Sequence, residues 1–249
     1  MGDDSMNNCD FYEKLLKKFR KVVEENDLLN EEVNINGRTL TPKEAIGTPV
    51  RQDYPIIKGK EKLIQAEFKG EKGQAFTDMP GEFSGTISEI INKPIKTNFD
   101  MAILISTLNA VCKYLKITDK SIHCKDEDPE ECAKKLVEYI KEKYGHPKIA
   151  LIGLQPAMLQ RLSENFDVRV VDLNKEKIGK VKFGIKIENA EEKTKDLLKW
   201  CDVIMATGST VANNTIRDFL NEKPVIFFGT TIAGTAELMN LPRFCPCSN

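Results

Sequence analysis

The residues best suited to chemistry in this chain stand at the ends of apolar runs. Ala206-Thr207-Gly208-Ser209-Thr210 ends one such run and leads into Val211-Ala212-Asn213-Asn214-Thr215. Hydroxyls and amides clustered where a strand turns into a helix can hold an anionic or polar group beside unpaired backbone N–H groups. Helix capping alone would need only one of Ser209, Thr210 or Asn213. Gly229-Thr230-Thr231, with Gly234-Thr235 beyond it, repeats the same chemistry after a second run, which favours binding over capping. The third strand end is Gly153-Leu154-Gln155-Pro156. There Gln155 and Met158 stand where a dinucleotide fingerprint has its later glycines, which disfavours NAD or FAD in the standard mode. Asp172 closes the next run about twenty positions after Gly153, the separation at which a carboxylate meets a ribose. Simple strand termination explains Asp172 equally well.

Soft donors form a second group. Seven cysteines with no repeated spacing argue for reduced thiols rather than a disulfide framework. Cys245-Pro246-Cys247 and the distant His123-Cys124 offer thiolate and imidazole, which select zinc, iron–sulfur clusters or other soft metals. A closed site needs about four ligands, so Cys245 and Cys247 would need partners from elsewhere in the chain, another subunit or a cofactor. The alternative is a solvent-exposed tail. Cys112, Cys132 and Cys201 sit among apolar residues and read as packing. His146 follows the helix-stopping Gly145 and reads as a surface residue. With only two histidines, a catalytic base could as well be a carboxylate, and whether the protein is an enzyme stays open. Arg51 and Asp53, between Pro49 and Pro55 and followed by Lys58, Lys60 and Glu61, suit either a carboxylate or phosphate grip or a surface ion pair. Asn109, inside an apolar helix, must have a partner, structural or ligand.

Helical spacing of Phe11, Leu15, Leu16, Phe19, Val22 and Val23 predicts an amphipathic helix capped by Asp10 with Glu13. Asn36-Gly37 between VNI and RTL predicts a tight hairpin, LIQAEF and QAFTD across KGEKG a second one, and residues 85–92 a short helix. Residues 98–115 are apolar on too wide a face for a surface helix, which places them between two halves of the molecule. The next helix has Asp128 as cap, Pro129 in its first turn, Glu131 closing a capping box and Gly145 as stop. From Lys148 onward, apolar runs alternate with helical patterns, one of them through Ile216 and Leu220, as in a parallel sheet with crossover helices. The reading is an α/β protein, with a small α+β domain over 1–97 and a parallel sheet with helices on both faces over 98–249.

Composition bounds the function. Lys plus Arg number 37 against 38 Asp plus Glu, so no basic surplus is available to neutralise a phosphate backbone, and nucleic acid is excluded as an expected partner. No apolar stretch approaches the roughly 18 residues of a membrane span, and the acidic start lacks the features of a signal peptide, which implies a cytoplasmic protein.

The apolar helix containing STLNAV, together with ATGSTVANNTIRDFL and VIFFGTT, resembles the heavy-metal-chelation family, in which an enolase-N-terminal-like domain precedes a Rossmann-like domain. The resemblance is strongest over residues 202–231. It implies a ligand or active site between the domains, with a role in heavy-metal handling or anaerobic corrinoid-like cofactor metabolism. By matching positions the implied site residues are Gly208, Ser209, Thr210, Asn213, Asn214, Thr215, Gly229, Thr230 and Asn109. Gly153, Gln155 and Asp172 come from the strand-end reading, and Cys245 and Cys247 are a lead outside the family motif. The leading expectation is a heavy or transition metal, or a metallated cofactor intermediate, held between the domains, with the 208–215 loop on its organic or anionic part. The competing expectations are an enzyme using S-adenosylmethionine or a nucleotide, and a structural or regulatory subunit. A homo-oligomer is compatible with all three.

Overall fold

The computed structural model describes residues 6–35, 39–57, 61–220 and 223–249, with the side chains of residues 6–10 excepted. Helix α1 (Met6–Glu25) buries Phe11, Leu15, Phe19 and Val23 at helical spacing. It begins before Asp10, which is therefore an interior residue and not its cap. Strand β1 (Glu32–Ile35) precedes the Asn36-Gly37 turn, which with Arg38 lies outside the described residues, as do Lys58 and Lys60. The expected partner strand is absent at Thr39 and Leu40; β1 pairs instead with β2 and β4. Helix α2 (Pro42–Ile46) is closed by a reciprocal Thr41/Glu44 capping box.

Strands β2 (Lys62–Phe68) and β3 (Glu71–Thr77) form the second expected hairpin. Its turn is only Lys69-Gly70, both at positive φ, the backbone sense that matches strand twist. Strand β4 (Phe83–Thr86) and helix α3 (Ile87–Asn92) follow, so Gly85 is a strand residue and the helix starts two residues later than its pattern suggested. The four strands make an antiparallel sheet in the order β3-β2-β1-β4.

Helix α4 (Asn98–Tyr114) buries every residue from Met101 to Cys112. It lies on β2 and β3 and also meets helices of the second half, so its wide apolar face is covered from both sides. Gly73 makes this closeness possible. A Cβ there would stand 2.2 Å from the Ala110 backbone nitrogen and 2.3 Å from the Ser106 carbonyl oxygen. Helix α5 (Asp128–Tyr144) starts one residue earlier than expected. Glu127 is the cap position, without a side-chain cap bond, while the Asp128 carboxylate instead accepts from the Lys125 N–H. Gly145 ends the helix as expected.

The second half contains β5 (Ile149–Ile152), α6 (Pro156–Ser163), β6 (Val168–Asp172), β7 (Val181–Lys182), β8 (Ile185–Asn189), α7 (Ala190–Trp200), β9 (Val203–Thr207), α8 (Ser209–Ala212), β10 (Val225–Phe228) and α9 (Ala233–Met239). The single helix expected through Ile216 and Leu220 is broken in two. Asn214, at φ +58°, separates the one-turn α8 from a 3-10 turn at Ile216–Phe219. The sheet runs β10-β9-β5-β6-β8-β7, parallel except for β7. Alternate residues serve opposite faces. Ile149, Leu151, Val170, Met205 and Ile226 join the core under α5 and α6, while Ala150, Ile152, Val171, Ile204 and Phe227 join the core containing α4 and α7. Both faces are covered, which is why these strands read as continuous apolar runs.

Strand order sets where a ligand can go. From β5 the chain lays β6 and β8 to one side and then returns to place β9 and β10 on the other. The crevice outside the carboxyl ends of β5 and β9 is the position where such sheets bind ligands.

Candidate functional site

A cavity of about 890 Å³ opens at that crevice and extends to the antiparallel sheet. Its floor is made by the three strand ends, Gly153 after β5, Thr207 to Thr210 after β9, and Gly229 to Thr231 after β10. Gly153 takes φ +85°, and a Cβ there would come within 2.7 Å of Thr207 Cγ2, so the floor is tight at the switch point. One wall is Phe76 to Asp78 at the end of β3, with His123, Cys124, Cys132 and Cys245 beside it. The opposite wall carries Asp172, Glu61, Glu191 and Lys195.

Most of the sequence-derived site residues meet here: Gly153, Gln155, Asp172, Gly208, Ser209, Thr210, Asn213, Thr215, Gly229, Thr230 and Cys245 all line the cavity. Several are already engaged. Gln155 caps α6 by accepting from the Met158 N–H at 2.5 Å. Asp172 accepts from the Leu154 and Asn174 N–H groups at 2.9 and 2.8 Å, and Lys177 lies 3.4 Å from it. Both of its oxygens thus have partners within the chain. The Thr210 hydroxyl donates to the Thr207 carbonyl at 2.8 Å, and the Thr231 hydroxyl accepts from the Phe76 N–H at 3.1 Å, which ties the β10 loop to β3. Thr230, only 1% exposed, has a hydroxyl without a partner among the described residues.

Three residues fall elsewhere. Asn109 is fully buried and does not line the cavity. Its Nδ2 donates to the carbonyls of Gln74, Thr230 and Thr231, and its Oδ1 accepts from the Gly234 N–H. It is a clamp between β3 and the β10–α9 loop, so its partner is structural. Asn214 is an exposed turn residue accepting from Arg217. Cys247 stands behind the wall, packed against the α5/α6 core. Arg51, too, is spent on structure: it donates to Glu130 at 2.5 Å and to Gln160, joining its loop to α5 and α6.

The cavity's charge reverses one expectation. Among the described residues its lining includes the carboxylates of Glu61, Asp78, Asp172, Glu191 and Asp218 against one lysine, Lys195. An anionic group would meet like charge there, whereas a cation would be attracted. Desolvation by the surrounding walls, with repulsion from Asp172, pushes the Glu61 carboxyl up to about 7 despite the attraction of Lys177 3.9 Å away. His123 is held neutral, since burial lowers its pKa. Its Nδ1 lies 2.6 Å from the Cys124 carbonyl, which can only accept, so the proton is on Nδ1 and Nε2 keeps its lone pair.

Sequence reasoning set Cys132 aside as packing and treated Glu61 only as part of a charged loop. It did not single out Phe76 to Asp78, Glu191 or Lys195. These come from elements that meet only through the tertiary fold; the spacing of Glu191 shows no more than an acidic first helical turn.

Among the described residues, no helix is long and apolar enough to cross a membrane. No curated protein matches the chain. A solved DUF364 protein of unknown function from Pyrococcus horikoshii aligns over 87% of this chain and 79% of its own, at 18% identity and a TM-score of 0.53. A second, from Desulfitobacterium hafniense DCB-2, aligns over 92% and 84% at 9% identity and a TM-score of 0.51. These likenesses concern the fold. Residues 135–239 match the DUF364 family model, described as "Putative heavy-metal chelation".

Proposed function

We propose that the protein binds a soft metal cation, or a metal-bearing cofactor intermediate, in the cavity between its two sheets. The observation that carries this reading is the composition of the lining among the described residues, five carboxylates and three thiols with one lysine. Thiols select soft metals, and the surplus of carboxylates raises the local concentration of cations. The match to a chelation family agrees with it. The Gly208 to Thr210 and Gly229 to Thr231 loops would border the organic part of a metallated ligand. A nucleotide or S-adenosylmethionine is less well served, because the Asp172 oxygens already accept from the Leu154 and Asn174 N–H groups and phosphates would face carboxylates. No observation favours the regulatory-subunit reading.

The test is elemental analysis of protein purified without oxygen, followed by calorimetric titration of the metal-stripped, reduced protein with zinc, cadmium and nickel. Near-stoichiometric binding that weakens in Asp172→Asn and Glu61→Gln supports the reading. Failure of all three metals to bind the stripped protein rejects it.

A further inference from the structure

The chain around residue 245 is not a loose tail. Phe227 N–H donates to the Pro242 carbonyl at 2.9 Å and Phe244 N–H to the Phe227 carbonyl at 2.7 Å, so residues 242–244 continue the parallel sheet beyond β10. Phe244 packs against Tyr139 of α5, with ring centroids 4.9 Å apart and the rings tilted by 37°. Tyr139 lies two turns after Cys132, on the same helix face. Farther on, Ile122 and Asn249 exchange both backbone hydrogen bonds. Ile122 in turn belongs to a segment fastened to β3, through Gln74 N–H to the Ser121 carbonyl and His123 N–H to the Gln74 side chain.

These anchors bring four cysteines from three separate elements to one place. Cys124 follows the Ile122 pairing, Cys132 sits in the second turn of α5, and Cys245 and Cys247 lie between the Phe244 and Asn249 anchors. Cys124, Cys132 and Cys245 line the same cavity wall, and the Cys132 and Cys247 thiols interact directly. Cys124 and Cys132 are 8% and 3% exposed. Among the described residues no three His, Cys, Asp or Glu side chains already converge as a ligand set. A site built from them would therefore require rotation of the cysteine side chains toward one another.

We propose that Cys124, Cys132, Cys245 and Cys247 close around one soft divalent cation, of the zinc or cadmium class, as a tetrathiolate site in the wall of the cavity. This rests on the metal-binding reading above and names its ligands. Four thiols and one M²⁺ give an M(S-Cys)₄ centre of net charge −2 and four released protons, with no change of oxidation state. The donor set and number are those of a closed soft-metal site.

The experiment uses the reduced, metal-stripped full chain titrated with Co²⁺ and then displaced by Zn²⁺ or Cd²⁺. Expected are one Co²⁺ per chain, a sulfur-to-cobalt charge-transfer band of four thiolates, and loss of about a quarter of that band in each of Cys124→Ser, Cys132→Ser, Cys245→Ser and Cys247→Ser. Cys201→Ser keeps the wild-type spectrum. A second measurement needs no variants: alkylation of the wild type over a time course long enough to label all four thiols of the metal-free chain, followed by mass spectrometry, in which Zn²⁺ slows the labelling of all four cysteines together. Protection of Cys245 and Cys247 alone would overturn the four-thiol site while leaving metal binding intact. No metal bound at all would reject both.

Discussion

One buried amide, Asn109, holds the two halves of the cavity in register, with three carbonyls and one N–H from distant segments converging on it. Replacing it by leucine strands those backbone groups without water, so Asn109→Leu should lower unfolding free energy by about 3 kcal/mol, measured by urea denaturation. Glu61 makes a different prediction. Its carboxyl is raised from 4.5 to about 7, so between those values the folded protein binds more protons than the unfolded chain. Its contribution to stability is present below about 4.5 and declines as pH rises toward 7. Relative to wild type, Glu61→Gln should therefore gain melting temperature progressively over that interval and hold the gain above it; a constant offset between the two melting curves would refute this. At this scale the sequence announced polarity well and partnership poorly. Asn109 was recognised as needing a partner because an unpaired amide is costly in an apolar helix. Which partner it has depends on segments up to 125 positions away.

At the scale of elements, the helix α4 and strand β3 are separated by less than a side chain. Gly73→Ala would force a Cβ into the α4 backbone, which cannot rotate away as a side chain can. A loss of about 3 kcal/mol or more is expected, with thermal denaturation as the measure, and a near-neutral result would show that α4 can slide. The segment 242–244 has a comparable task, since it covers the outer edge of β10. A chain shortened after Leu241 should expose that edge and self-associate, which light scattering would detect. Much at this level was legible. The strands β5, β6, β9 and β10 announced themselves as short apolar runs because both of their faces are buried. Asn36-Gly37 is a strong turn pattern, yet β1 finds its neighbours at β2 and β4, because long-range pairing outweighs local preference. The ordered course of residues 242–249 left no periodic signal, since it is held by isolated backbone bonds rather than by a pattern.

Across the whole molecule, metal binding and stability should be linked. A cation that binds only the folded chain adds about 2.7 kcal/mol at a free concentration one hundred times its dissociation constant, so zinc should raise the melting temperature of the wild type, and raise that of Cys124→Ser by less, in step with its weaker binding. The position of α4 has a further consequence. Because its two sides are buried in one continuous core, neither sheet retains a finished interior without the other. Heating is expected to melt both in a single calorimetric transition, with van't Hoff and calorimetric enthalpies in agreement. The same wedge sets the spacing of the cavity walls, which therefore behave less like jaws than like the sides of a fixed gauge. Entry of a ligand would then depend on its dimensions and on the rotation of a few side chains, rather than on the swinging of one half against the other.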